Sequence, residues 1–373
     1  MKNIVIVGAG ISGLVLASFL KQHGNYKISI FEKKKNENKN DINGIQISPN
    51  AINILKKLNF DNFDNSKFYP IKSLNFYDCI SKKKISVMNF NYLEKNSYIA
   101  INRTDLNNFL INEFDLKNQI LEKEVININS KSIFLKDGTK IDFDILVLAD
   151  GIFSRLRSNK IKPLYSGYCA FRGSFFTEKQ KSNIDLWMGK GFHLVTYPID
   201  QNKINSFTFI KRIPEIRDIT DYDFETDNFE MNFKKNLPEK AYDIFNSTNI
   251  KLWPIYKLNK IYYGDDKKIF IGDSAHGFIP SRAQGAAQAI EDSFILYNLI
   301  TQNKLSNSQL LKIRESRVAK IIKKSESNLF IFHLSFFLLR FLRNLFIKIV
   351  CSSRILTKIL NRYIFDYMFK KKL

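Results

Sequence analysis

Hydrophobic positions change period several times along the chain, and each change marks an element. The chain enters an apolar, β-branched run by Ile4, meets a glycine-rich turn, and then repeats apolar residues at helical spacing (Leu14, Leu16, Ala17, Leu20) up to Gly24. That pattern predicts strand, turn and helix. The alternating run "YKISIFEK" predicts a second strand beside the first, and "FDILVLADG" reads as a fully buried strand. Between them, "SPNAINILKKL" predicts a helix capped at Ser48 with Pro49 as its first residue. "INRTDLNNFLINEF" predicts an amphipathic helix preceded by Arg103.

From about 165 to 255 the pattern reads as sheet, in "YSGYCAFRGSFF", "GFHLVTYPI" and "NSFTFIKRI", the last two joined by a turn over "DQNK". Alternation there puts His193, Val195 and Tyr197 on one face. Further on, "IGDSAHGFIPSRAQGAAQAIEDS" begins as a buried strand, reaches Asp273, and crosses a loop holding Gly277 and Pro280. It enters a helix through Gly285, Ala286 and Ala287, a start so bare that a large flat group can lie against its backbone.

Composition narrows the class. A chain of 373 residues with 45% hydrophobic positions, 33 Phe and 16 Tyr is globular and long enough for one large or two interleaved domains. Its three cysteines, Cys79, Cys169 and Cys351, are far apart and form no zinc-type cluster with the four histidines, which points to a reducing compartment and no metal. An apolar strand that begins by Ile4 leaves no room ahead of it for a secretory signal. The net charge of +22 is compatible with acidic ligands, an anionic membrane or a biased codon pool. Because it is dispersed and no recognition module is visible, nucleic-acid binding is not expected.

The chemistry begins at the first turn. Gly8 permits the tight turn, Gly10 lets the backbone approach a pyrophosphate, and Gly13 lets the helix pack on the strand. Glu32, nineteen residues after Gly13, stands where an acidic side chain accepts the ribose hydroxyls of a bound adenosine. One such loop serves NAD with a separate substrate domain, or FAD with the rest of the chain built around the flavin.

The remaining segments bear on that choice. Gly44 and Ile45, Arg103, then Asp150, Gly151, Ser154 and Arg157, and finally Asp273 with Gly285 and Ala286 follow the glycine loop in an order that resembles the group A FAD-dependent aromatic monooxygenases. "AQGAAQAIEDS", "YSGYCAFRGSF", "FHLVTYPI" and "LWPIYKL" are similar to landmarks of the salicylate hydroxylase and 3-hydroxybenzoate 6-hydroxylase branch. The resemblance implies an α/β fold, a Rossmann-type FAD-binding domain interleaved with a mixed-sheet substrate domain, plus C-terminal helices. The expected boundaries are 1–72, 96–165 and 256–303 for the FAD-binding domain, 73–95 as a substrate-domain hairpin, 166–255 for the substrate sheet, and 304–373 for the helical end.

It also implies roles. Gly8, Gly10, Gly13 and Glu32 would hold the ADP half of FAD, Arg103 would contact the cofactor, and Asp273 its ribityl or ribose hydroxyls. The segment with Asp150 and Gly151 would serve both FAD and NADH or NADPH. Gly285 and Ala286 would direct N–H groups at the flavin. His193 and Tyr197 would line the substrate pocket, with His193 taking a phenolic proton; Pro280 joins them in the candidate catalytic set. His276 is expected to fix its loop, and His23 and His333 to stand outside any site.

The implied activity is NAD(P)H- and O2-dependent hydroxylation of a small phenolic compound. The departures at Gly277, Ser281 and Arg282 leave a non-hydroxylating flavoprotein as an alternative, although Arg282 would also suit an anionic substrate. From Asn328 onward the chain is apolar and basic together. Arg340, Arg343 and Lys348 interrupt it too often for a membrane span. As one continuous helix it would gather Arg340, Arg343, Lys348, Arg354, Lys358 and Arg362 within roughly 140°. Such a helix either packs on the flavin domain, as the "RYIFDY" ending suggests, or lies on an anionic membrane. The second case would make the enzyme peripheral at the inner face of a membrane rather than simply cytoplasmic, acting on a quinone precursor.

Overall fold

The computed structural model describes residues 1–33, 43–215, 230, 233–247, 250–265 and 268–365. The apolar run Lys2–Val7 is a central strand, paired in parallel with Tyr26–Phe31 on one side and Ile145–Leu148 on the other. Outside Ile145–Leu148 lies Lys268–Phe270, so three strand ends deliver Gly8, Asp150 and Asp273 to one edge of the sheet. Parallel strands covered on both faces read as continuous apolar runs, as Ile145–Leu148 does.

Helix α1 (Ile11–His23) covers this sheet and ends at Gly24, whose φ of 82° lies in the left-handed region. Helix α2 (Pro49–Leu55) starts at Pro49, as its sequence predicts. Ser48 sits at the cap position, yet its hydroxyl donates to Asn50 Oδ1 instead of capping the helix. Helix α3 (Arg103–Glu113) takes Arg103 into its first turn, and the cap is the Asn102 side chain, which accepts from Thr104 N.

The second layer is a seven-stranded sheet ordered Lys251–Leu258, Pro163–Phe176, Ile204–Arg212, Phe192–Pro198, Asn183–Gly189, Ser73–Asp78 and Lys83–Asn89. It is mixed, because Asn183–Gly189 runs parallel to Ser73–Asp78 while the other pairs are antiparallel. The turn over Asp200 forms where expected, with Asp200 Oδ1 accepting from Asn202 N and Ile204 N. The 165–255 region is not all sheet: Glu239–Asn246 is a 3-10 helix that buries Ile244 and Phe245 against the sheet face lined by Phe171 and Phe209. Residues 216–229 lie outside the described ones.

The C-terminal part departs further from expectation. Following α4 (Asp273–His276) and α5 (Gly285–Thr301), the chain forms α6 (Asn307–Phe332), α7 (Phe337–Ser352) and α8 (Arg354–Phe365). The continuous-helix arc therefore does not exist. Backbone at Phe336 and Ser353 is extended and separates the helices. Arg340 and Arg343 turn inward instead, toward the buried carboxylate of Asp78 at 3.3 and 4.0 Å. The last part of "RYIFDY", from 366, lies outside the described residues. None of the helices among the described residues is long and apolar enough to cross a membrane.

Candidate functional site

The glycine loop is set by backbone packing. A Cβ on Gly8 would stand 2.4 Å from Ala149 O, and one on Gly13 would stand 2.1 Å from Gly8 O. Neither position can carry a side chain unless the strand–helix packing opens. Gly10 differs, since a Cβ there would meet only the Arg103 guanidinium, at 3.5 Å. Glu32 reaches back to the loop, its Oε2 accepting from Ala9 N at 2.8 Å.

Gly10, Arg103, Gly151, Asp273, Gly285 and Ala286 line one cavity of about 900 Å³, which also takes in Gly44, Ile45, His193, Tyr197 and Pro280. Cofactor-type and substrate-type candidates, more than 250 positions apart in the chain, thus share one continuous space. Asp150 stands just behind it. Burial raises its carboxyl pKa, and Oδ1 has no hydrogen-bond partner among the described residues.

Three features fit a dinucleotide with a flat ring. Cβ atoms on Gly151 or Gly285 would meet nothing within 4 Å, so backbone lies open to the cavity at both positions. Helix α5 begins at Gly285, and its first-turn N–H groups have no intrahelical acceptors. Asp273 is exposed to the cavity and supplies carboxylate oxygens for hydroxyls.

Gly44 has a different reason to be glycine. A Cβ there would collide with Ser206 Cβ at 2.4 Å, and its carbonyl accepts from Arg172 Nη2 at 3.0 Å and Tyr197 OH at 2.8 Å. The Tyr197 hydroxyl is therefore committed to backbone, and burial raises its pKa. Arg172 also lines the cavity. It stands inside the quoted landmark "YCAFRGSF", so an arginine on a buried strand was the signal available to find it.

Arg157 is committed to backbone carbonyls in this arrangement. Its buried guanidinium donates to Ile161 O, Ser274 O and Ile152 O, tying the Gly151 turn to α4. Pro280 forms cavity wall, with its carbonyl accepting from Ala283 N. It carries no group that can move a proton.

His193, Val195 and Tyr197 do share the cavity face, while Phe192 and Leu194 pack on the opposite side of the sheet. His193 is 1% exposed, and its Nδ1 lies 2.8 Å from His333 Nε2 at the end of α6. The expectation that His333 has no part in any constellation is thereby corrected. Burial, then the neighbouring His333, holds the His193 imidazole well below its usual pKa. Burial and Arg212 hold His333 down to about 4.

His276 fixes its loop, as expected. Its Nε2 is 2.6 Å from Asp292 Oδ2, which also accepts from Gly272 N at 2.8 Å, while Asp292 Oδ1 accepts from Arg314 Nε at 2.6 Å. Burial opposes the Asp292 charge, but His276, Arg314 and the Gly272 N–H bring its pKa to about 2. Glu291 beside it is bound by Arg314 and by Arg317, whose Nε and Nη2 donate at 2.8 and 2.6 Å. Glu291 and Asp292 thus form a pair of adjacent, fully buried carboxylates. It is neutralised by two arginines, and its Asp292 member holds Gly272 and His276, on either side of Asp273 in the chain.

Arg282 lines the cavity, donates to Asn328 Oδ1 at 3.3 Å, and keeps a buried Nε without a partner among the described residues. Among those residues no group of His, Cys, Asp and Glu could hold a metal.

Comparison with known proteins agrees with this geometry. Residues 6–36 match the family model described as an NAD(P)-binding Rossmann-like domain, and residues 143–370, more than half of the chain, match the one described as squalene epoxidase. The chain is 27% identical over 339 residues to 3-hydroxybenzoate 6-hydroxylase 1 of Aquipseudomonas alcaligenes, covering 85% of each. It is 23% identical over 356 residues to 6-hydroxynicotinate 3-monooxygenase of Pseudomonas fluorescens, covering 87% of this chain and 91% of that one. Klebsiella pneumoniae HpxO, solved with FAD and uric acid, has the same fold, with a TM-score of 0.81 at 17% identity and 97% of each chain covered. The chain belongs to the family that the squalene epoxidase model describes, and with its hydroxylase relatives it is a group A FAD-dependent aromatic monooxygenase.

Proposed function

We propose that this monooxygenase hydroxylates an aromatic ring that already carries a hydroxyl group, using NADH or NADPH and O2. The observation that carries the reading is the single cavity joining the Gly10–Asp273–Gly285 end to the His193–Tyr197 wall. Bound FAD, once reduced, supplies activated oxygen.

The chain's own residues would divide the rest. Gly10 and the start of α1 face the pyrophosphate, Glu32 and Asp273 accept from hydroxyls, and Arg103 answers a phosphate charge. The first N–H groups of α5, at Gly285 and Ala286, stabilise negative charge on the ring system. Asp150 and Gly151 border both FAD and the nicotinamide. The two sheets support a division in which 1–72, 96–165 and 256–303 hold the cofactor, 73–95 and 166–255 face the substrate, and 304–373 closes the site.

On the substrate side, apolar walls such as Leu186, Val195 and Ile210 exclude water from the reacting ring. His193 accepts the phenolic proton, because a phenolate ring is the better nucleophile toward oxygen. Tyr197 and Arg172 hold the Gly44 carbonyl and so shape the ring site. The same chemistry serves an aromatic head on an apolar chain, a second reading favoured by the exposed apolar side chains of α7.

Stopped-flow mixing of the holoenzyme with NADH or NADPH, alone and with a panel of phenolic acids and alkylphenols, tests the proposal. A ligand that accelerates flavin reduction and emerges with one added oxygen atom supports it. Reduction that no phenol accelerates, with peroxide as the only product, counts against it.

A further inference from the structure

The cavity has an apolar end opposite its glycine loop. Met88, Phe90, Ile184 and Leu186 form the sheet wall there, facing Val350 and Ile364 from α7 and α8. Several of its lining residues belong equally to the outer surface: Phe330 is 68% exposed, Leu342 50% and Phe346 59%. The cavity therefore opens between the end of α6 and α7.

Around this opening the surface stays apolar. Phe337 and Ile355 are each 71% exposed; Phe341, Ile349 and Ile359 add to the same helices, and Phe336 stands just ahead of α7. Contiguous apolar patches on soluble monomers rarely exceed a few hundred Å². Charge selects what covers this one. Between Glu326 and Asp366 the sequence contains no acidic residue and six basic ones. Arg340 and Arg343 point to Asp78, while Lys348, Arg354 and Lys358 are exposed beside the apolar side chains. A second copy packed symmetrically would set these cations against themselves. An anionic bilayer satisfies both the apolar face and the charge.

We propose that α7 and α8 dock in the interface of an anionic bilayer and that the opening beside Leu342 and Phe346 admits an aromatic substrate carrying an apolar chain directly from the lipid. The proposal rests on the hydroxylase reading above. The chain occupies the apolar end, and the aromatic head reaches His193.

Two measurements on the full-length holoenzyme test it. In flotation, the protein should rise with vesicles of phosphatidylcholine and phosphatidylglycerol but not with phosphatidylcholine alone, and salt should weaken the association. The double variant Phe341→Glu/Ile349→Glu, on the outer face and off the cavity, should stay behind while its flavin still responds to 4-methylphenol. Wild-type protein that ignores anionic vesicles, or a variant that still floats, overturns the docking.

In titrations of the flavin spectrum with 4-alkylphenols from methyl to nonyl, affinity should rise about fourfold per methylene over the first few carbons. Leu342→Glu should blunt that rise. Affinity that is flat with chain length overturns the route and leaves the hydroxylase standing. No spectral response to any phenol, with vesicle binding intact, instead sinks the hydroxylase reading on which the route depends.

Discussion

His193 Nδ1 and His333 Nε2 are 2.8 Å apart, one on a strand of the substrate sheet and the other at the end of α6. Only one of the two nitrogens can carry the shared proton, so His333 selects the tautomer of His193. When His193 donates to His333, its other nitrogen presents a lone pair and can receive a phenolic proton. His333→Ala should therefore lower kcat by about 10- to 100-fold, the scale of lost general-base positioning. His333→Gln, whose amide oxygen still accepts, should recover part of the loss. Steady-state kinetics of both variants against pH would check this, since a purely structural role would show no such rescue.

The same pair makes stability depend on pH. His333 titrates near 4 in the folded protein, below its ordinary value of 6.5. Between these values the unfolded chain binds the extra proton, so stability falls as pH drops from 6.5 toward 4 and is unaffected by this group above 6.5. The loss at pH 4 is on the order of 3 kcal/mol. Urea denaturation from pH 4 to 8 should show the slope, and His333→Gln should flatten it.

Glycines that look alike in sequence should behave oppositely. Gly13→Ala forces a Cβ to 2.1 Å from Gly8 O, whereas at Gly285 the added atom meets nothing within 4 Å. The first should destabilise the apoprotein by about 1–3 kcal/mol, the range for overpacking. Gly285→Val should leave the apoprotein's unfolding curve nearly unchanged and weaken FAD binding instead. Denaturant curves paired with FAD titrations separate the two.

Asp292 anchors the loop behind the site through His276, Arg314 and Gly272 N. Asp292→Asn leaves Arg314 buried with less opposing charge and should cost about 3–5 kcal/mol. Weaker FAD binding should accompany it, because Gly272 and His276 flank Asp273. Calorimetry of apoprotein and holoprotein would measure both effects.

Arg282 brings a half-buried guanidinium, with Nε unpartnered among the described residues, to the cavity wall. If the substrate is a carboxylate, Arg282→Gln should raise its KM about 10- to 100-fold, the value of a hydrogen bond to a charged group. Binding of 4-methylphenol should change little. Equal effects on both ligands would show that Arg282 shapes the loop rather than reads charge.

The cofactor end of this protein was legible in its sequence because its geometry is local. A tight turn, a close strand–helix approach and a bare helix start each require particular residues within a few positions, and Gly8, Gly13 and Gly285 meet those demands. Alternation along one strand likewise set His193, Val195 and Tyr197 on a common face. Tertiary structure alone decided what those residues touch. His193 meets a histidine 140 positions away, and Arg172 reaches Gly44 across 128. Glu291 finds Arg317 only because α5 packs beneath α6, and Arg343 leaves the surface stripe it suggests in sequence to meet Asp78. Periodicity shows which face a side chain occupies, but the partner waiting there depends on chain packing between distant segments, and burial then makes that pairing obligatory.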